Sequence, residues 1–438
     1  MRRDAEKIYK YAIEASLPDT VVREGLREFT LPSGRLILVA IGKAAYRMAK
    51  CAKDILNEKI DTGIVITKYS HSEGKIEGID IYEAGHPVPD EAGIRATERA
   101  LELTTGLTER DTVLFLVSGG GSSLFEAPLC SLHELAGLTE ELLASGADIN
   151  EINAVRKHIS RVKGGRFAEH VYPAKVYAIV LSDVIGDRLD TIASGPTAPD
   201  TSTVSDVVAI LKKYGIEVSD TVMSALCRET PKRVPNAEHF IGGSVSQLAL
   251  AAKAAAEALG YKSVILTDDE RGIARDVGLR LAKICCENCD TDTPLAFIIG
   301  GETVVKLKGD GIGGRNQEIA LAAAPLIAGK AGVAVFSVAS DGTDGPTDAA
   351  GGFVDGGSFT KMEKAGARPL ISLENNDSYN ALKSVGGLIF TGPTGTNVND
   401  ISVALIKPDV DDDNIEKRRF ANLERVLNFG ISADKLPS

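Results

Sequence analysis

Thr112-Val113-Leu114-Phe115-Leu116-Val117 runs directly into Ser118-Gly119-Gly120-Gly121-Ser122-Ser123. The first stretch is short and apolar, as a strand buried on both faces requires. The second is a glycine-rich turn at that strand's carboxyl end, the edge where open α/β sheets bind their ligands. Upstream, apolar runs at 36–41, 63–67 and 79–83 alternate with helical stretches at 43–57 and 91–104. That alternation predicts an α/β fold with a layered, Rossmann-like sheet. Helices near 131–144 and 149–158, a strand at 176–181 and a loop at 194–200 extend it.

The polar segment Thr230-Pro231-Lys232-Arg233-Val234-Pro235 separates two periodic regions and reads as a boundary, dividing the chain into 1–235 and 236–438. The pattern restarts with a strand around Phe240, a helix at 244–259, a strand at 263–266 and a helix at 271–288. Short β runs at 295–299 and 303–307, separated by Gly300-Gly301-Glu302, predict a hairpin. A strand at 333–338 and a capped helix at 411–430 follow, and the amphipathic opening helix has the option of packing on the other domain.

The chain's 438 residues exceed one ordinary core, so two domains are expected. A net charge of -12 argues against gripping nucleic acid or an anionic membrane, so anions must be met locally. No apolar run approaches the roughly 20 residues of a membrane span, and residues 1–10 carry no leader pattern, which points to the cytoplasm. Cys285, Cys286 and Cys289 lack a second pair at zinc spacing and read as ordinary thiols.

Several segments carry candidate chemistry. In Ser118, Gly119, Gly120, Gly121 and Ser122, successive backbone N–H groups and hydroxyls suit a phosphate or carboxylate. A tight turn would account for fewer glycines than the three that stand here. Lys43 follows the strand at 36–41 at a helix start, where its ammonium joins backbone donors, although the Walker A spacing is missing. Arg156, Lys157 and His158 concentrate basic character in an acidic chain; an anion-binding rim and a solvated helix face both remain open for them. Asp183 and Asp187 end the strand at 176–181 and suit Mg²⁺ or a proton, Asp183 being nearer the strand. Gly309 to Gly314 fits GxGxxG, but its strand is assigned to a hairpin, so a donor-rich loop delivering Arg315 to a phosphate fits better than a dinucleotide site. Asp341, Asp344, Asn316 and the stretch 391–400 with Asn397 add oxygen and amide groups suited to Mg²⁺, ribose or phosphate, and turn chemistry explains the same residues.

The ordered set Gly42-Lys43-Ala44, Gly85-His86-Pro87-Val88-Pro89-Asp90, 118–123, Val155-Arg156-Lys157-His158, Leu181-Ser182-Asp183-Val184, Ser194-Gly195-Pro196-Thr197, Gly300-Gly301-Glu302-Thr303, 313–318, 340–345 and 391–397 resembles the class II glycerate kinases of the MOFRL family across nearly the whole chain. The resemblance implies two α/β domains facing a cleft, the first Rossmann-like and the second a smaller MOFRL-type domain. It also implies transfer of the γ-phosphoryl group of ATP to D-glycerate with Mg²⁺ or another divalent ion, giving 2-phosphoglycerate. The family's catalytic lysine and arginine fall on Lys43 and Arg315, and Asp183 sits in a motif of its cleft. Ser123 stands where alanine is common, and the tail beyond about residue 407 exceeds the usual end, which bears on a possible homo-oligomer. Two rivals remain: a hydroxypyruvate reductase, a label relatives have carried, and a non-catalytic sensor of sugar acids or nucleotides.

Overall fold

The computed structural model describes residues 1–182 and 188–408. Asp183, Asp187 and the expected helix at 411–430 lie outside the described residues.

The first sheet contains β1 (Leu36–Ile41), β2 (Thr62–Lys68), β3 (Ile79–Ala84), β4 (Thr112–Val117), β5 (Lys175–Leu181) and β6 (Ala237–Gly243). They are parallel throughout, in the order β3-β2-β1-β4-β5-β6. This is the doubly wound nucleotide-fold order. Every residue of β1 and β4 is buried, as expected of central strands covered on both faces. Local signals place the helices: Asp90 caps helix Glu91–Leu103 through Gly93 N at 2.9 Å, and capping boxes open Leu132–Ala144 and Ile149–His158.

The strand around Phe240, expected to start the second domain, instead pairs in parallel with β5. β5 has a free edge there, and β6 satisfies its backbone groups, so the change of sheet falls after Gly243 rather than at 235.

The second sheet contains β7 (Lys262–Glu270), β8 (Leu295–Gly301), β9 (Val333–Ala339), β10 (Gly351–Asp355), β11 (Leu388–Ile389) and β12 (Asp400–Ile406), in the order β11-β10-β9-β12-β8-β7. It is mixed: β7 and β8 are parallel, while β12 runs antiparallel to both β8 and β9. The expected hairpin at 295–307 does not form. β7 and β12 occupy both edges of β8, so 303–307 cannot fold back onto it and makes only an isolated bridge from Val304 to Ile273.

The opening helix Arg2–Ala15 packs on this second sheet. Tyr9 meets Phe336 edge-on at 6.2 Å between ring centres, Asp4 accepts a hydrogen bond from Tyr261 Oη at 2.8 Å, and Lys407 Nζ lies 2.8 Å from Asp4. One apolar cluster therefore runs from the first sheet through the opening helices into the second. Among the described residues no helix is long and apolar enough to cross a membrane.

Candidate active site

In the first sheet the chain leaves β1 toward β2 and leaves β4 toward β5, in opposite directions, so a crevice opens between the carboxyl ends of β1 and β4. Two loops are knitted together there. Lys43 N donates to Gly119 O at 2.9 Å, and Ser118 Oγ accepts from Ala44 N at 3.0 Å while donating to Ile41 O at 3.2 Å. Gly42 has φ of 109°, and a Cβ there would lie 2.4 Å from Ser118 O, so only glycine permits this approach. The Lys43 backbone is thus fixed, while its ammonium has no hydrogen-bond or ion-pair partner among the described residues.

A cavity of about 450 Å³ occupies this crevice. Lys43, Ser118 and Gly119 line one side and Asp341, Thr396 and Asn397 the other, with His71 at the rim. Thr343 N and Oγ1 donate to Asp341 Oδ1 at 2.9 and 3.2 Å. Thr396 Oγ1 donates to Ser16 O at 2.7 Å and so ties the second wall to the turn after the opening helix. The fold therefore brings Lys43, Ser118, Gly119, Asp341 and Asn397 together from segments far apart in sequence.

Arg315 does not line this cavity. It opens helix Arg315–Ile327, and its guanidinium is shared between Asp400 and Glu302. Burial pushes Asp400 up to about 6, against the opposing pull of Arg315. Burial works against the charge on Arg315 too, but its hydrogen bond with Asp400 and the nearby carboxylates outweigh this and raise it. Asp400 closes the stretch 391–400, whose oxygens suit Mg²⁺, ribose or phosphate; its pairing with Arg315 is what sequence reasoning missed.

Two candidate ligands turn inward. Asn316 is fully buried, with Nδ2 on Asp344 Oδ1 at 3.2 Å and Oδ1 accepting from Ser337. Asp344, 2% exposed, accepts Asn316 N at 3.1 Å and Gln317 N at 2.8 Å, capping the helix that Gly314 cannot cap itself. Its donors are internal, so it is not presented to a metal; burial raises its pKa.

The basic stretch separates in the same way. Only Arg156 reaches the glycine-rich turn, its Nη2 donating to Ser122 O at 3.0 Å. Lys157 is buried against Asp200 at 3.3 Å. His158 is fully enclosed beside Leu226 O and Ser202, and burial lowers its pKa. The loop 200–202 packs against the last helical turn, enclosing His158, while Lys157 lines a separate cavity of about 240 Å³ with Arg188 and Asp190, away from the glycine-rich turn. Gly120 instead abuts His86, whose pKa is held down by burial and then by the charge of Lys43. Gly121 and Ser122 lean toward Ala193 and Ser194, with Ser122 Oγ 2.9 Å from Ser194 Oγ.

Among the described residues no group of three or more His, Cys, Asp or Glu is arranged to hold a metal. A Mg²⁺ ion arriving with nucleotide phosphates needs only one or two protein carboxylates, and Asp341 at the cavity wall fits that demand. The GxGxxG loop is already engaged. Gly311 N donates to Asn375 O, Gly309 N to Asn376 Oδ1 and Ile312 N to Asp377 Oδ1, so the donors a dinucleotide pyrophosphate would need are taken.

A family model described as a domain of unknown function (DUF4147) matches residues 4–227, and one described as the MOFRL family matches 295–400. The chain is 55% identical to the D-glycerate 2-kinase of Thermotoga maritima, covering 93% of this chain and 98% of that protein. It is 42% identical to the glycerate 2-kinase of Pyrococcus horikoshii, covering 89% and 90%. A protein of Agrobacterium vitis named a putative hydroxypyruvate reductase is 40% identical, covering 92% and 94%. The crystal structure of glycerate kinase from Thermotoga maritima superposes with a TM-score of 0.88 over 92% of this chain and 99% of that chain, at 55% identity. With both domains present in order and full-length likeness to these enzymes, the chain belongs to the glycerate 2-kinase family.

Proposed function

We propose that this protein transfers the γ-phosphoryl group of ATP to the 2-hydroxyl of D-glycerate, yielding 2-phosphoglycerate and ADP. The observation that carries this reading is the crevice in which Lys43, its ammonium unpaired among the described residues, stands beside the glycine-rich turn and opposite Asp341 and Asn397. Phosphoryl transfer asks the protein for positioning and charge stabilisation, and this set supplies both.

The acceptor hydroxyl oxygen attacks the γ-phosphorus, the bond to the ADP oxygen breaks in line, and the hydroxyl proton leaves to a base. Lys43 stabilises the charge on the transferring group. Ser118 and the backbone of 119–122 hold phosphate oxygens, and Asn397 contacts the nucleotide. Arg315 approaches from the second domain as the crevice closes, exchanging Glu302 for a phosphoryl oxygen while Asp400 keeps it oriented. Asp183 orients the hydroxyl or accepts its proton. Arg156 faces the acceptor's carboxylate. Asp341 and Asp187 would hold Mg²⁺, which would supply neutralisation of phosphate charge. The reaction is assigned to the cytoplasm.

Phosphorus NMR of the protein with Mg-ATP and D-glycerate tests this. A 2-phosphoglycerate resonance is expected. A 3-phosphoglycerate resonance would overturn the choice of hydroxyl, and unconsumed ATP would overturn the kinase reading. Oxidation of NAD(P)H by hydroxypyruvate would favour the reductase instead.

A further inference from the structure

Beneath the glycine-rich turn lie two charges, Glu126 and Lys163, that the proposed chemistry does not use. Glu126 is 1% exposed and Lys163 is fully buried, with Lys163 Nζ 2.8 Å from Glu126 Oε2. Lys163 Nζ also donates to Phe125 O at 2.9 Å, and Arg156 Nη2, 3.9 Å from Glu126 Oε2, donates to Ser122 O at 3.0 Å. Two cations therefore hold carbonyls at the end of the short helix Gly121–Leu124, where the helix has no further turn to satisfy them. Among the described residues both carboxylate oxygens of Glu126 and Arg156 Nε are buried without a hydrogen bond of ordinary geometry, so the contact of Oε2 with Lys163 is an ion pair.

Such a group is a poor device for stability. Each buried ion carries a desolvation cost of several kcal/mol, and matched apolar replacements are often no less stable. Its surroundings indicate what it does instead. The far side of the turn rests on Ala193 and Ser194, both in the left-handed region at φ of 50° and 62°, a conformation that persists only when neighbours enforce it. The enforcing neighbours follow Lys163 directly: Gly164 N donates to Ser194 O at 3.0 Å and Gly165 N to Gly195 O at 2.7 Å. One short segment thus grips the turn from below through Lys163 and props its strained wall through the next two residues.

We propose that Glu126 and Lys163 are positioning residues, a buried ion pair that with Arg156 holds the glycine-rich turn in the geometry phosphoryl transfer requires. The functional half of this inference rests on the kinase reading above; the structural half does not.

The double variant Glu126→Leu/Lys163→Met separates stability from positioning, because it removes both charges together. Three quantities are measured: the thermal midpoint, amide hydrogen exchange across 118–124, and kcat with the KM of each substrate. The expected result is a folded protein whose exchange at 118–124 rises at least about tenfold, with kcat lower by about 10²-fold as for a misplaced reacting group. Lys163→Arg, which keeps the pair, should restore most of kcat. Unchanged exchange and unchanged kcat in the folded double variant would overturn the proposal. So would a lower midpoint with full kcat per folded molecule. If the double variant does not fold, Glu126→Gln is read by the same criteria. Should the wild type fail to phosphorylate glycerate, the kinase reading falls, while exchange at 118–124 still decides whether the pair holds the turn.

Discussion

Arg315 binds Asp400 along one edge of its guanidinium, Nε lying 2.6 Å from Oδ2 and Nη2 3.1 Å from Oδ1, and Nη1 reaches Glu302 at 2.9 Å. The two carboxylates differ in kind. Asp400 is buried, whereas Glu302 is about half exposed and can give way to a phosphoryl oxygen at little cost. Arg315→Ala should lower kcat by about 10²–10³, as other deletions of transition-state charge stabilisation do. It should also cost about 3 kcal/mol of stability, because Asp400 is left buried without its partner. Adding Asp400→Asn should regain most of the stability and none of the kcat. Activity and denaturant midpoints of the single and double variants check both statements.

Lys43 is the converse case. Its ammonium has no partner among the described residues, so its removal breaks no hydrogen bond or ion pair among them. Lys43→Met should leave stability within about 0.5 kcal/mol of wild type, the usual range for such positions. If it faces the transferring phosphoryl group, kcat should drop by about 10²–10³. A full kcat with only a raised KM for ATP would instead make it a ground-state nucleotide contact.

Periodicity and turn chemistry made the first sheet legible. β1 and β4 fall where the apolar runs stand, and the turn at 118–123 lies at the switch point as its glycines imply. Pairing partners were not legible. Whether 237–243 joins β5 or starts a new sheet, and whether 303–307 finds an edge, depends on which strand edges are already filled, and only the assembled sheets decide that. Side-chain direction was hidden for the same reason. Lys157, His158, Asn316 and Asp344 carry suitable groups, but Lys157 is held by Asp200 in a separate cavity, the loop at 200–202 encloses His158, and the start of helix Arg315–Ile327 turns Asn316 and Asp344 inward. Glu126 went unnoticed because an isolated carboxylate beside an apolar run has no periodic signature, and the pairing of Asp400 with Arg315 was hidden because the two stand 85 residues apart.

The opening helix gives a prediction about how the two halves are joined. Ala5, Ile8, Tyr9 and Ala12 are buried, and Arg2 donates to Leu388 O at 2.7 Å on the edge strand β11. Ile8→Ala should therefore destabilise by about 2–5 kcal/mol, the range for a large aliphatic side chain cut back in a packed core. Because the helix rests on the second sheet, amide exchange should accelerate in β9 and β10 more than in β2 and β3. Equal acceleration in both sheets would mean that the chain unfolds as one cooperative unit.

Lys163 supplies a pH dependence whose sign follows from its environment. Burial pushes its pKa down to about 8, with the charge of Glu126 opposing, against an ordinary value of 10.5. Below about pH 8 the ammonium is protonated in both the folded and unfolded chain, and the group contributes no slope. Between about 8 and 10.5 the unfolded chain holds the proton that the folded chain has released, so this contribution to stability rises with pH, by at most about 1.4 kcal/mol per unit. Other groups titrate in the same window, so the comparison is between wild type and Glu126→Leu/Lys163→Met. The stability of wild type relative to the variant should be flat from pH 6 to about 7.5 and climb from about 8 upward. Activity should move the other way. As Lys163 loses its proton it releases its hold on Glu126, and wild-type kcat should decline above about pH 8 while Lys163→Arg, which stays charged, keeps its rate. Parallel stability curves for wild type and the double variant would show that Lys163 keeps its proton throughout, and the alkaline loss of activity would then have to come from another group.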